Sequence, residues 1–223
     1  MLVKEAQPII RAAPGNTKMN CGCWGLPTST CSKHHPEDPN STCNIKNCYA
    51  QRNQYVFPNV KEAQRLRFLN SERNDFTLAL TTILNRHKYF RFFDSGDFHN
   101  YTLMRKILRA CELAPFTQVH IPSKQYKRIE HYKMFWPIPD NVVIRAGMWE
   151  IDVDTDKAIK FNDRFKNIAI VSKKAWTHPY IIGDTEAHVC PAARDNPTGQ
   201  KQCIIDCDWC WHRENKVVVF PWH

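Results

Sequence analysis

The sequence has no long apolar run and no recognisable export signal. No stretch approaches the roughly 20 apolar residues that a membrane-spanning helix needs. The first 16 residues include Lys4 and Glu5 and contain no apolar run of signal-peptide length. Internal repeats and low-complexity tracts are also missing. These absences predict a protein that has no membrane partner and stays in a reducing cytosol.

Ten cysteines are the unusual feature of this 223-residue chain. In a reducing compartment, clustered cysteines indicate metal binding or catalysis more often than disulfides. Hydrophobic residues make up 43% of the chain, which is enough for a sizeable core, so we expect an ordered protein. The net charge of +9 favours polyanions, and nucleic acid is therefore one predicted partner.

Segments with strand and helix patterns alternate through the middle of the chain. We predict strands at 89–94, 116–121, 141–147, 167–171 and 216–220, and helices at 58–71, at 101–113, in a short stretch through 126–132, and after an N-cap at Asn74. This alternation predicts an α/β fold, either a partial (β/α) barrel or an open parallel sheet. A single domain would comprise a cysteine-rich irregular segment (1–50), βα repeats (51–185) and a cysteine-rich C-terminal segment (186–223).

The best candidate metal site lies near the C-terminus. Four cysteines fall within about 20 residues there: Cys190, Cys203, Cys207 and Cys210. Four thiolates suit a cubane iron–sulfur cluster and structural zinc equally well. The Cys190-Pro191 pair and the flanking Trp209 and Trp211 favour a 4Fe–4S cluster, with zinc as the alternative and His212 as a possible substitute ligand.

A second group of cysteines lies in the irregular N-terminal segment. Cys31, Cys43 and Cys48 share a polar loop context, and three thiolates on a cubane would leave one iron open to an outside ligand. Cys21 and Cys23 are open to three interpretations: ligands, a dithiol, or structural thiols. His34 and His35 are weaker candidate ligands.

A polar turn at 94–97 follows the predicted strand at 89–94. Asp94 and Asp97 are candidate catalytic carboxylates, while Ser95 and Gly96 would let a cofactor or substrate approach the backbone. Lys124 follows the next predicted strand and is a further candidate for cofactor binding. Reactive groups in such folds lie at the C-terminal ends of strands. The alternative is a structural turn with Asp97 or Asn100 as helix cap.

The order of these motifs resembles one bacteriophage protein family. Cys48-Tyr49-Ala50, Ser95-Gly96-Asp97-Phe98 and the terminal cysteines are similar to the domain named after mycobacteriophage gene product 88. The similarity spans roughly Lys18 to Trp211. It implies a phage-encoded protein in the cytoplasm of an infected bacterial host, and it implies no particular activity.

Two remoter resemblances suggest chemistry. Radical S-adenosylmethionine enzymes also place a three-cysteine cluster before a partial barrel and a glycine-rich turn after its second strand, although their tight Cys-x3-Cys-x2-Cys spacing is absent here. Queuine-type transglycosylases, which carry zinc, have a turn similar to 94–98. The first hypothesis is therefore an iron–sulfur enzyme that receives electrons from a host donor. The second is a zinc-stabilised nucleic-acid-binding protein, whose basic helix would present Lys61, Arg65 and Arg67.

Overall fold

The computed structural model describes residues 1–15, 19–31, 38–44, 46–175, 181–182, 184–192, 196–199 and 201–222. Within these residues the α-helices are α1 (Val3–Ile10), α2 (Pro58–Ser71), α3 (Phe76–Leu84), α4 (Tyr101–Glu112), α5 (Tyr126–Phe135) and α6 (Thr155–Phe165). Short 3₁₀ turns cover Thr28–Thr30, Tyr49–Gln51, Asn53–Val56 and Trp209–Trp211. The strands are β1 (Gly22–Trp24), β2 (Tyr89–Phe92), β3 (Gln118–Ser123), β4 (Val142–Ile151), β5 (Ile168–Ser172), β6 (Ile181–Ile182), β7 (Thr185–Glu186), β8 (His188–Val189) and β9 (Val217–Pro221).

Seven parallel strands form one sheet in the order β1-β2-β3-β4-β5-β9-β8. The first five follow chain order without the reversal that marks a doubly wound sheet, so the winding is that of a (β/α) barrel. Strands β1 and β8 form the two edges, and the barrel is therefore not closed. This confirms the predicted α/β class, with a parallel sheet that does not close into a barrel. Strands β6 and β7 form a separate antiparallel pair.

The two faces of the sheet have different partners. Alternate residues of β2 and β3, such as Phe90 and Val119, pack with α1, α3 and α4 in a large apolar core. A second core joins β4, β5 and β9 to Phe165 of α6. We call this side the helical face. The opposite side, the inner face, carries polar side chains such as Arg91 and is covered by the C-terminal segment around Trp211.

The predicted elements agree well with the structure in the middle of the chain. Helix α2 has its predicted bounds, and the five predicted strands are present with ends shifted by at most four residues. Sequence reasoning missed α1, β1 and α6. Helix α1 has only eight residues and contains Pro8, so its stability depends on the burial of Ala6 and Ile10 against α3 rather than on propensity.

Two local predictions were wrong. The residue at the N-cap position of α3 is Asp75, not Asn74, and its carboxylate pairs with Arg73. The basic face predicted for α2 keeps the exposed Lys61 and Arg65 but does not include Arg67. Arg67 is buried and its guanidinium donates to the carbonyl oxygens of Arg11 and Gly25, while Arg65 is paired with Glu62.

Candidate functional site

The 94–97 turn connects the end of β2 to the segment before α4. Ser95 Oγ donates to the carbonyl oxygen of Leu26 at 2.8 Å and accepts from Gln64 Nε2 at 2.7 Å. Gly96 has φ +73°, and a Cβ there would lie 2.6 Å from Leu26 Cβ. The close approach that glycine allows is therefore to the chain's own β1 loop. The hydroxyl of Ser95 therefore holds the turn against this loop and against α2.

The carboxylate of Asp97 ties two strand ends together. Its Oδ1 accepts from the backbone N–H of Phe98 (2.8 Å) and from Ser123 Oγ (2.7 Å), and its Oδ2 accepts from the backbone N–H of Lys124 (2.8 Å). Burial raises the pKa of Asp97, and these hydrogen bonds oppose that shift. Asn100, the other predicted cap, accepts from the N–H of Leu103 and caps α4. Asp97 therefore fixes the ends of β2 and β3 relative to each other.

Asp94 differs from Asp97 because one of its oxygens is uncommitted. Its Oδ1 is buried and has no hydrogen-bond partner among the described residues. It lies where a side chain on Gly25 would be, only 2.0 Å from the position of a Cβ. Burial raises the pKa of Asp94, whereas Arg67 and Arg91 lower it. Of the two predicted catalytic carboxylates, Asp94 is thus the one that keeps an oxygen without a hydrogen-bond partner among the described residues.

The N-terminal cysteine group (Cys31, Cys43 and Cys48) gathers beside Lys124. The pKa of Cys31 is raised to about 12, first by burial, then by Asp97 and by the neighbouring thiols of the group, while Lys124 lowers it. Lys124 also lowers the pKa of Cys48, which burial raises. The ammonium of Lys124 makes no hydrogen bond or ion pair with the described residues.

This group lies at the C-terminal ends of β2, β3 and β4, which we call the carboxyl edge. The N–H of Thr42 donates to the carbonyl oxygen of Trp149 at 2.6 Å, so the segment that carries Cys43 crosses the end of β4. The structure therefore brings the three predicted cysteines, Asp97 and Lys124 to the edge where reactive groups of parallel α/β folds lie.

The C-terminal cysteine group (Cys190, Cys203, Cys207 and Cys210) lies over the inner face. The pKa of Cys190 is raised to about 12, first by burial and then by the other three thiols. Cys203 and Cys207 form a β-bridge, and the backbone of Cys203 also pairs with Met19. The structure therefore brings all four predicted cysteines together.

Other side chains join this group that sequence reasoning did not assign to it. Cys207 Sγ lies 3.3 Å from His188 Nε2, and the His188 ring stacks on Trp209 at 4.0 Å. The thiol of Cys21 is near enough to Cys203 for that thiol to raise its pKa. The spacing His188-x-Cys190 was the sequence signal for His188. For Cys21 there was none, because only the fold brings it across to the C-terminal segment.

All ten cysteines are free thiols. Within the described ranges, no three or more His, Cys, Asp or Glu side chains are arranged so that they could hold a metal ion. Both cysteine groups are thus assemblies of neighbouring soft donors, and their ligand role stays a prediction. His34 and His35 lie outside the described residues.

Comparisons with known proteins give one clear finding. The family model described as gene product 88 matches residues 3–213. No curated protein and no solved structure matches the chain. In the part of the chain that the structure covers, no helix is long and apolar enough to span a membrane. The predicted resemblance to the phage family is confirmed, and the likeness to radical S-adenosylmethionine enzymes receives no support. The chain belongs to the gene product 88 family.

Proposed function

We propose that this protein binds iron–sulfur clusters through its two cysteine groups, in the cytoplasm of the infected cell. The carrying observation is the charge around the thiols. Each group adjoins a cation, Lys124 in one case and Arg91 in the other, that forms no ion pair among the described residues. Both cations are only partly exposed, and an anionic partner stabilises a cation that has lost part of its hydration. Thiolates on a metal centre would supply that negative charge.

The same environment disfavours a metal-free state in which the thiols are ionised. Burial raises the pKa of Cys31 and Cys190 to about 12, and neighbouring thiols add to the shift. Without a metal, these cysteines are protonated at neutral pH. Metal binding would displace those protons, so cluster loading would release protons and weaken as the pH falls.

We assign different roles to the two groups. Four cysteines complete the ligation of one cluster, which suits electron transfer or structural support. The N-terminal cysteine group has three thiols and would leave one metal position open, at the carboxyl edge near Asp97 and Lys124. If the protein is an enzyme, we place the chemistry there.

Sulfur-only donor sets also suit zinc, which is the alternative to iron. The first experiment therefore measures metal content. Protein purified without oxygen is expected to be coloured, with a broad visible absorbance and with iron and acid-labile sulfide in matching amounts. Colourless protein with stoichiometric zinc would overturn the iron–sulfur proposal.

Cysteine variants then assign the sites. Cys207→Ser and Cys48→Ser should each remove part of the iron, and the double variant should remove nearly all of it. Cys111→Ala is the matched control, because burial alone raises the pKa of this thiol and no other cysteine is among the causes. Its iron content should equal that of the wild type. Loss of iron in Cys111→Ala as large as in Cys48→Ser would point to unfolding rather than ligand loss.

The finer form of the proposal is that the three-cysteine centre binds S-adenosylmethionine. Reduced protein would then supply one electron to this compound, and cleavage of its sulfur–carbon bond would give methionine and a 5′-deoxyadenosyl radical. The radical would take a hydrogen atom from a C–H bond of a substrate or buffer component and leave as 5′-deoxyadenosine. Dithionite supplies the electron in the assay, and chromatography detects the nucleoside. A fully loaded protein that releases none would contradict this finer form while leaving cluster binding intact.

A further inference from the structure

Four buried nitrogen atoms on the inner face lack a hydrogen-bond partner among the described residues. They are Arg91 Nε, Arg145 Nε and both ring nitrogens of His120. His120 is 1% exposed and Arg145 is fully buried. Folded proteins pair nearly all buried polar atoms, so four unpaired nitrogens on one face indicate a missing partner.

The three residues lie on adjacent strands of the sheet. Arg91 of β2 is in register with His120 of β3, and Arg145 of β4 is in register with Pro122, two residues further along β3. Their neighbours Phe90, Val119 and Val142 point to the helical face, so the three polar side chains point to the inner face. Burial lowers the pKa of His120 most, and Arg91 and Arg145 lower it further. The ring is therefore neutral and carries one N–H.

The C-terminal cysteine group lies next to these residues, with Trp211 in contact with His120 and Cys210 near both arginines. The ring of Trp211 packs against that of His120, with centroids 5.4 Å apart, and Trp211 follows Cys210 directly. Arg145 and Arg91 both lower the pKa of Cys210, and Arg91 Nη1 lies 2.9 Å from Met19 Sδ. Neither arginine is ion-paired with a carboxylate in the described ranges.

The terminal nitrogens of Arg145 are already committed. They donate to backbone carbonyl oxygens, including those of Asn215 and Cys210, and so fix the C-terminal segment against the sheet. Its Nε–H is left over as a donor, as is the one N–H of the neutral His120 ring. The missing partner therefore fits a sulfur-rich anionic group that lies between the C-terminal cysteine group and the sheet.

We propose that His120, with Arg91 and Arg145, donates hydrogen bonds to the sulfur atoms of the centre held by the C-terminal cysteine group and raises its reduction potential. This rests on the proposed function. Hydrogen bonds to cluster sulfurs stabilise the reduced, more negative state, so their loss lowers the potential. His120 is here a positioning residue, because it acts on the centre without ligating it.

His120→Leu tests the proposal with two readouts of opposite sign. In the metal-free protein, the change removes two unpaired buried nitrogens and should raise the melting temperature. In the loaded protein, iron content should be retained and the reduction potential should become more negative. His120→Gln restores a donor and should return the potential part of the way. His131→Leu is the control, because His131 is exposed on α5 and should leave both readouts unchanged.

Each result separates this inference from the proposed function. A wild type that binds no iron overturns the proposed function, on which the inference rests. A loaded His120→Leu protein with wild-type potential overturns the inference alone. A lower melting temperature of the metal-free variant also overturns it, because the loss of two unpaired buried nitrogens should raise the melting temperature.

Discussion

The carboxylate of Asp97 gives the sharpest test of how the carboxyl edge is held together. Asp97→Ala would leave the N–H groups of Phe98 and Lys124 and the hydroxyl of Ser123 without their acceptor. A hydrogen bond to a charged group contributes about 1.5–3 kcal/mol, so three would sum to roughly 5–9 kcal/mol. Removing a buried carboxylate whose pKa is raised offsets part of this loss. We expect the free energy of unfolding to fall by about 3–5 kcal/mol.

Urea denaturation of the metal-free protein, followed by tryptophan fluorescence under reducing conditions, measures this change. Asp97→Asn keeps one acceptor oxygen, but its amide NH₂ replaces the other and cannot accept a hydrogen bond. The free energy of unfolding should therefore fall by less than in Asp97→Ala. Asp75→Ala is the control, because Asp75 forms an exposed pair with Arg73 and its removal should change little. If Asp97→Ala costs no more than Asp75→Ala, the strand ends are not held by this carboxylate and our reasoning is refuted.

Three further predictions concern the same region. Asp94→Asn should stabilise the protein increasingly as the pH rises from about 4. Because the pKa of Asp94 is raised in the folded state, the carboxyl group contributes to folding stability at low pH and loses that contribution as it ionises. Thermal melts of both proteins across pH check this, and parallel pH profiles would contradict it. Gly96→Ala should cost about 2–4 kcal/mol in urea denaturation, from left-handed strain plus the clash with Leu26. In Gly199→Ala the strain acts alone, because nothing lies within 4 Å of the added Cβ, so equal losses would rule out the clash. Arg67→Met should lower the unfolding free energy by about 2–4 kcal/mol, since three hydrogen bonds to carbonyl oxygens are lost. Arg65→Met, at an exposed position, should have little effect. Similar results for the two variants would show that the hydrogen bonds of Arg67 do not stabilise the fold.

The predictable part of the fold was its periodic part. The spacing of Leu103, Met104, Ile107 and Leu108 predicts a helix with one buried face, and α4 buries those residues. Strands of parallel sheets are buried on both faces and appear as short apolar runs, which is why 167–171 could be recognised. Helix α1 and strand β1 were not predictable, because their stability comes from distant partners in α3 and β2.

The candidate site divides in the same way. The sequence alone determined which residues could bind metal, since cysteine content and spacing restrict the chemistry to soft donors. Only the tertiary structure decided what surrounds them. It brought Lys124 beside Cys31, more than 90 residues away in the chain, and it placed Arg91 and His120 opposite the C-terminal cysteine group.

At the 94–97 turn the tertiary structure likewise decided between the two interpretations that the sequence left open. A Ser-Gly-Asp sequence at a strand end is compatible with ligand binding or with a structural turn. The choice depends on whether its polar atoms find partners in the folded chain. Ser95 and Asp97 find theirs in Leu26, Gln64 and Ser123, whereas Asp94 Oδ1 finds none among the described residues. Such long-range partners are fixed by packing of the sheet, so local sequence determined the donors and acceptors and the fold determined which remain available.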